Sequence, residues 1–276
     1  MRIPRRPTFI VIGAMKCGTT SLYYYLADHP DISMSAVKET DYFVAEKNYA
    51  RGLRWYQSLF KQNAIARGEC SPNYTKTHLF AGVPARIRDV VPGVKLIYLV
   101  RDPVKRTVSH YLSAYAQGRE KRSLGEALRD LAHSNYVLTS RYYEQLRPYF
   151  ELFGRDQVLV ITTEQLQSEV YRTLQTVYKF LGVDEGYRCQ WAGTAFNTSV
   201  TKKVRPDWYQ WVSSQLLSQR FKDWIRPYVP TRWLPGQALT RPVLSADLRA
   251  ELKAHFRPDV SALRATTEQS FEAWDV

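Results

Sequence analysis

Phe9-Ile10-Val11-Ile12-Gly13-Ala14-Met15-Lys16-Cys17-Gly18-Thr19-Thr20-Ser21 is the stretch that decides the fold. Four apolar residues ending at a glycine predict a buried strand, followed by a turn that needs a permissive backbone. Thr19, Thr20 and Ser21 then open a helical pattern, expected over residues 18–28. The first N–H groups of that helix, and the positive end of its dipole, face back into the turn. A strand, a glycine-bearing turn with Lys16 and a hydroxyl-rich helix start together form an anion cradle suited to phosphate. The plain alternative is an ordinary strand-to-helix turn with a solvated lysine.

The residue spacing argues about which phosphate ligand. A Walker A loop places lysine directly after its last glycine. Here Lys16 precedes Gly18 by two positions and no lysine follows it. A standard ATP or GTP loop is therefore a poor match, and no Walker B carboxylate follows the second hydrophobic strand.

That second strand is Val94-Lys95-Leu96-Ile97-Tyr98-Leu99-Val100, and it runs into Arg101-Asp102-Pro103. Proline is favoured just inside a helix start, and Val104, Thr107, Val108, Tyr111, Leu112 and Tyr115 keep one helical face. Arg101 thus stands at the carboxyl end of a buried strand, where open α/β sheets bind ligands. Ser109 lies two turns into the helix beyond it. A structural ion pair between Arg101 and a nearby carboxylate is the competing explanation.

With these segments in view, the chain resembles the sulfotransferases that use 3′-phosphoadenosine 5′-phosphosulfate (PAPS). It looks more like the heparan-sulfate and Golgi carbohydrate branch than the cytosolic aryl branch. Further matching segments are His29-Pro30-Asp31-Ile32, Lys38-Glu39-Thr40-Asp41-Tyr42-Phe43, GECSPNY (Gly68 to Tyr74), LVITTEQL (Leu159 to Leu166), FLGV (Phe180 to Val183) and a closing helix ending near Trp274. The resemblance implies that Lys16, Cys17, Gly18, Thr19, Thr20 and Ser21 hold the 5′-phosphosulfate, and that Arg101 and Ser109 hold the 3′-phosphate. A late cationic loop of the family has an approximate counterpart in Lys202, Lys203 and Arg205. By the same resemblance Lys16 assists the leaving phosphate and Glu39 is the general base, with Asp41 its weaker rival. Tyr42, Phe43, Trp55, Tyr74, Tyr142 and Tyr143 match segments that line the acceptor cleft. Cys70 stands where some relatives carry a lysine near substrate and cofactor. The implied reaction uses PAPS as co-substrate, leaves PAP as product and needs no metal. Its acceptor is a hydroxyl of a carbohydrate, a lipid or another small alcohol.

Composition bounds the rest. At 276 residues and 45% hydrophobic content, one sulfotransferase domain over residues 1–276 is expected. No apolar run is long enough to span a membrane and no signal peptide is visible, so a cytoplasmic, bacterial-type enzyme is expected. Three scattered cysteines suggest neither a disulfide framework nor zinc spacing. A net charge of +13 suits an anionic ligand, although solvated helix faces explain much of it equally well. No nucleic-acid-binding motif appears. A nucleotide-dependent kinase and a non-enzymatic polyanion binder are the rival classes. His110, beside Ser109, is badly placed to serve an acceptor, and the other histidines have no metal-ligand spacing.

Strands near 64–68, 94–100 and 158–161 alternate with helical patterns near 78–90, 104–116, 139–152, 167–181, 207–219 and 245–256. An amphipathic segment with Leu53, Trp55, Tyr56, Leu59 and Phe60 precedes the first of these strands, and residues 228–242 read as a loop. Such alternation predicts parallel βαβ units. The expected class is α/β: a P-loop-like, three-layer αβα fold around a mostly parallel sheet.

Overall fold

In the computed structural model, β1 (Phe9–Gly13) is buried along its whole length and lies at the centre of a five-stranded sheet. The structure describes residues 6–61, 64–196, 203–204, 237–238 and 242–276. The other sheet strands are β2 (Ile32–Met34), β3 (Ala66–Cys70), β4 (Lys95–Val100) and β5 (Val158–Thr162), in the order β2-β3-β1-β4-β5. Every pairing in this sheet is parallel, with Phe9 opposite Gly68 on one side and Lys95 on the other. Continuous apolar runs such as Phe9-Ile10-Val11-Ile12 suit strands covered on both faces. Helices flank the sheet, giving the expected α/β architecture.

The helices are α1 (Thr19–Asp28), α2 (Gly52–Ser58), α3 (Val83–Val90), α4 (Pro103–Ala116), α5 (Leu124–Ala127), α6 (Asn135–Leu138), α7 (Tyr142–Phe153), α8 (Thr163–Ser168), α9 (Val170–Leu181) and α10 (Ala246–Thr267). From β1 the chain moves out to β2, returns through β3 and then crosses to β4. The connections thus diverge between the neighbours β1 and β4, and sheets of this kind take their ligands in the crevice at the carboxyl ends of the strands at such a point.

Several elements differ from the sequence expectation. The three-residue strand β2 is too short to show a period. The strand expected at 64–68 sits at Ala66–Cys70. A helix expected over 167–181 is broken at Glu169, and α8 starts earlier, on a reciprocal cap between Thr162 and Gln165. The closing helix α10 runs through Pro258 to Thr267, well past 256, yet stops before Trp274. Trp274 lies in the tail, stacked on Phe271 with ring centres 4.5 Å apart. The helix expected at 207–219 lies outside the described residues. Within the expected 228–242 loop, Gln237–Ala238 pairs antiparallel with Lys203–Val204.

Candidate active site

The turn after β1 is tied down on both sides. Ala14 N–H donates to Leu99 O at 2.7 Å, and the Thr75 hydroxyl donates to Ile12 O at 3.1 Å. The Thr163 hydroxyl lies within donating distance of Cys17 O (2.7 Å) and Val100 O (3.0 Å), joining the turn to the end of β4. Glycine is required at position 13 because a Cβ there would meet Thr75 Oγ1 at 2.1 Å. Gly18, at φ 91°, is the N-cap of α1. No side chain caps α1 and its first turn carries no acidic residue, so its N-terminal dipole is not neutralised locally.

The predicted cradle residues separate into two groups. Lys16 is half-buried on the turn, and its charge reaches His110 on α4. Gly18 and Thr20 lie at the helix mouth and are also half-buried. Cys17 instead turns its thiol into the core beside the Tyr142 hydroxyl at 3.5 Å, and burial pushes that thiol up to about 11. Any role of Cys17 toward a ligand is therefore a backbone role. Thr19 is buried, and its carbonyl accepts from the Cys70 thiol at 3.6 Å. The Ser21 hydroxyl accepts from Phe196 N–H at 3.1 Å, which occupies it in holding a neighbouring segment.

Arg101 and Ser109 line one cleft of about 350 Å³, together with Lys105, Val108, Arg249 and Lys253. Asp102 does not neutralise Arg101. It caps α4 by accepting from Lys105 N–H at 2.8 Å, and its other oxygen accepts from Asp275 N–H at 3.4 Å. Among the described residues no ion pair joins Arg101 to a carboxylate. Lys202 and Arg205 lie outside the described residues, and Lys203 is described only as backbone of a short strand.

Glu39 stands at the rim, its N–H donating to Cys70 O at 3.0 Å and its side chain 48% exposed. Its carboxylate pairs with Lys38 at 2.6 Å. Asp41 is more heavily engaged: it is buried, paired with Lys47, and accepts from Asn73 Nδ2 at 2.9 and 3.1 Å. The less encumbered carboxylate is thus Glu39. Lys16, Glu39 and Asp41 all adopt left-handed backbone, at φ 74°, 63° and 46°. Each such residue costs roughly 1–2 kcal/mol, and strain of this kind gathers at functional sites.

Three buried charged or titratable groups beneath the crevice had no assigned role from sequence. Glu69, at the end of β3, accepts from the hydroxyls of Tyr56 (2.5 Å), Ser71 (2.8 Å), Tyr74 (3.0 Å) and Thr40. This box anchors the loop that carries Glu39. Arg106, fully buried on α4, donates to Ser140 Oγ at 2.5 Å, to Met15 O at 3.4 Å and to Tyr136 O. Lys76 is 7% exposed. Burial, and then Arg106, Lys76 and Lys16, hold His110 well below its usual range, which favours the neutral ring. A run of polar residues after β3 was the available signal for Glu69; nothing local distinguishes Arg106 or Lys76 from solvated cations.

The aromatic residues assigned to an acceptor cleft are mostly core. Tyr42 stacks on Tyr56 with ring centres 4.3 Å apart, and Phe43, Tyr74 and Tyr142 are fully buried. Trp55 and Tyr143 keep partial exposure, with the Arg51 guanidinium 3.9 Å above the Trp55 ring.

The sequence model of the sulfotransferase domain matches residues 6–261. The chain belongs to the sulfotransferase domain family. A crystal structure of a sulfotransferase from Alicyclobacillus acidocaldarius is 26% identical and superposes with a TM-score of 0.71, covering 98% of this chain and 99% of that one. The mouse heparan sulfate glucosamine 3-O-sulfotransferase 3B1 is 31% identical over 64% of this chain and 46% of its own length. The membrane-associated sulfotransferase kil1 of Dictyostelium discoideum is 42% identical over 38% of this chain and 22% of its own length. This chain therefore spans less than half of these curated relatives. A mouse sulfotransferase solved in complex with PAP shares the fold at 13% identity, with a TM-score of 0.52. Among the described residues no helix is long and apolar enough to cross a membrane.

Proposed function

We propose that this chain transfers the sulfuryl group of PAPS to a hydroxyl of a carbohydrate, a lipid or another small alcohol. One observation carries the proposal. Two features suited to anions stand at the carboxyl ends of the adjacent strands β1 and β4: the uncapped start of α1 beside Lys16, and the cleft lined by Arg101 and Ser109. A donor charged at both its 5′ and 3′ ends suits that pair of sites, whereas the Walker lysine that a nucleoside triphosphate would need is absent. The residues present fit such a donor, since Arg101 has no carboxylate partner among the described residues and α1 has no side-chain cap.

In this proposal the α1 N–H groups and Lys16 orient the phosphosulfate, and Arg101 with Ser109 reads the 3′-phosphate. Lys16 stabilises charge that develops on the leaving phosphate oxygen, an effect worth about 10²–10³ in rate. Glu39 takes the acceptor proton, worth roughly 10²–10⁴, after exchanging its contact with Lys38 for one with the hydroxyl. The names of the heparan sulfate relatives favour a carbohydrate among the three acceptor classes. The proposal takes residues 1–276 as one domain working in the cytoplasm; the free thiols of Cys17, Cys70 and Cys189 suit a reducing compartment.

Thermal shift with adenosine 3′,5′-bisphosphate against Mg-ATP tests the donor, because ligand at a hundredfold excess over its Kd stabilises by about 2.7 kcal/mol. Transfer of labelled sulfate from PAPS to a panel of sugars, lipids and alcohols then tests the reaction. Glu39→Gln is expected to keep PAPS affinity and to slow transfer to an aliphatic alcohol by about 10²–10⁴. Wild-type turnover in that variant would remove Glu39 from the mechanism.

A further inference from the structure

The turn residue Met15 is held between two buried cations. Arg106 donates to its carbonyl at 3.4 Å, and the Lys76 ammonium sits 3.2 Å from its sulfur. A thioether is a weak, neutral acceptor and a poor partner for an ammonium ion. Among the described residues Lys76 belongs to no ion pair, although it is 7% exposed. The charged groups around it are Arg106 on α4 and Lys47, which oppose its charge, and Asp41 and Glu39, which favour it. Asp41 is already paired with Lys47, and Glu39 with Lys38. Lys76 is in turn among the cations that, after burial, hold His110 well below its usual range. Among the described residues, Lys76 and Arg106 are thus buried against the turn of the anion cradle with no ion pair to either.

We propose that Lys76 is an anion-binding residue of this cradle, exchanging the Met15 sulfur for an anionic oxygen at the 5′ end of the bound donor. This rests on the sulfotransferase reading above. An ammonium in this position completes its coordination only when the ligand arrives, so binding energy is concentrated on the charged group that reacts. Burial pushes the Lys76 ammonium down to about 8, with Arg106 and Lys47 adding to the effect. An anion beside it reverses that push, so at a pH near 8 donor binding draws in about half a proton at this residue.

The test is calorimetry of adenosine 3′,5′-bisphosphate binding near pH 8 in two buffers of different ionisation enthalpy. Wild type, Lys76→Met and Lys76→Arg are compared, each confirmed as folded by its thermal transition. Wild type is expected to take up about half a proton more than Lys76→Met, and Lys76→Met to bind about tenfold or more weakly. Lys76→Arg, always charged, is expected to keep most of the affinity and to lose the extra proton uptake. Wild-type affinity and proton uptake in Lys76→Met overturn the assignment of Lys76 while leaving the sulfotransferase reading intact. A wild-type protein that does not bind the bisphosphate refutes that reading, and this inference with it.

Discussion

Replacing Glu69 by glutamine should loosen the active-site rim without touching any residue assigned to the donor. Its two carboxylate oxygens accept from four hydroxyls, with Tyr56 and Tyr74 on one oxygen and Thr40 and Ser71 on the other. Glutamine keeps one accepting oxygen and presents amide protons where the other stood. Two of the four bonds are then lost or forced to reverse, and the other two lose their charge assistance. A hydrogen bond to a charged group contributes about 1.5–3 kcal/mol, so two lost bonds cost about 4 kcal/mol. Burial already pushes the Glu69 carboxyl up against the pull of its hydroxyl donors, so removing the charge offsets part of that loss. A net loss somewhat below about 4 kcal/mol follows. Urea unfolding followed by tryptophan fluorescence measures it, with an unchanged slope expected if both states keep their compactness. Because Thr40 lies between Glu39 and Asp41, turnover should fall while the Kd for adenosine 3′,5′-bisphosphate stays within about twofold. A Glu69→Gln protein within about 0.5 kcal/mol of wild type would refute the view that this box holds the loop.

Arg101→Ala and Ser109→Ala should weaken adenosine 3′,5′-bisphosphate far more than an adenosine 5′-phosphate lacking the 3′ group, as calorimetry can show; equal losses would separate them from the 3′-phosphate. Asp259 on α10 accepts from Tyr143 and Glu144 N–H at 3.1 and 3.0 Å at the start of α7, and burial pushes its carboxyl up from 3.8 to about 6. The folded protein therefore holds this proton to higher pH than the unfolded chain. The contribution is complete below pH 3.8 and is lost as pH rises through about 6. The stability difference between wild type and Asp259→Asn should accordingly fall by about 3 kcal/mol across that window in pH-dependent urea titrations, and a flat difference would count against the burial argument.

The sequence by itself determined β1, the turn at Lys16, the start of α1, and β4 ending at Arg101, because each is written in consecutive residues. An apolar run that stops at glycine, and a proline just past a strand, act within a few residues and need no partner. The pairing of Arg101 with Ser109 along one cleft was legible for the same reason, as a hydroxyl two turns into a helix that begins at the strand end. Only the tertiary structure decided that Cys17 faces the core, that Asp41 is held by Lys47 and Asn73, and that Tyr42, Phe43, Tyr74 and Tyr142 fill the interior. It also decided that Glu69 gathers hydroxyls from positions 40, 56, 71 and 74, and that Lys76 and Arg106 are buried behind the turn. Lys76 and the Met15 sulfur it meets are 61 positions apart in the chain. Burial and charge compensation are properties of what packs around a residue, and those neighbours come from strands and helices that no local pattern brings together.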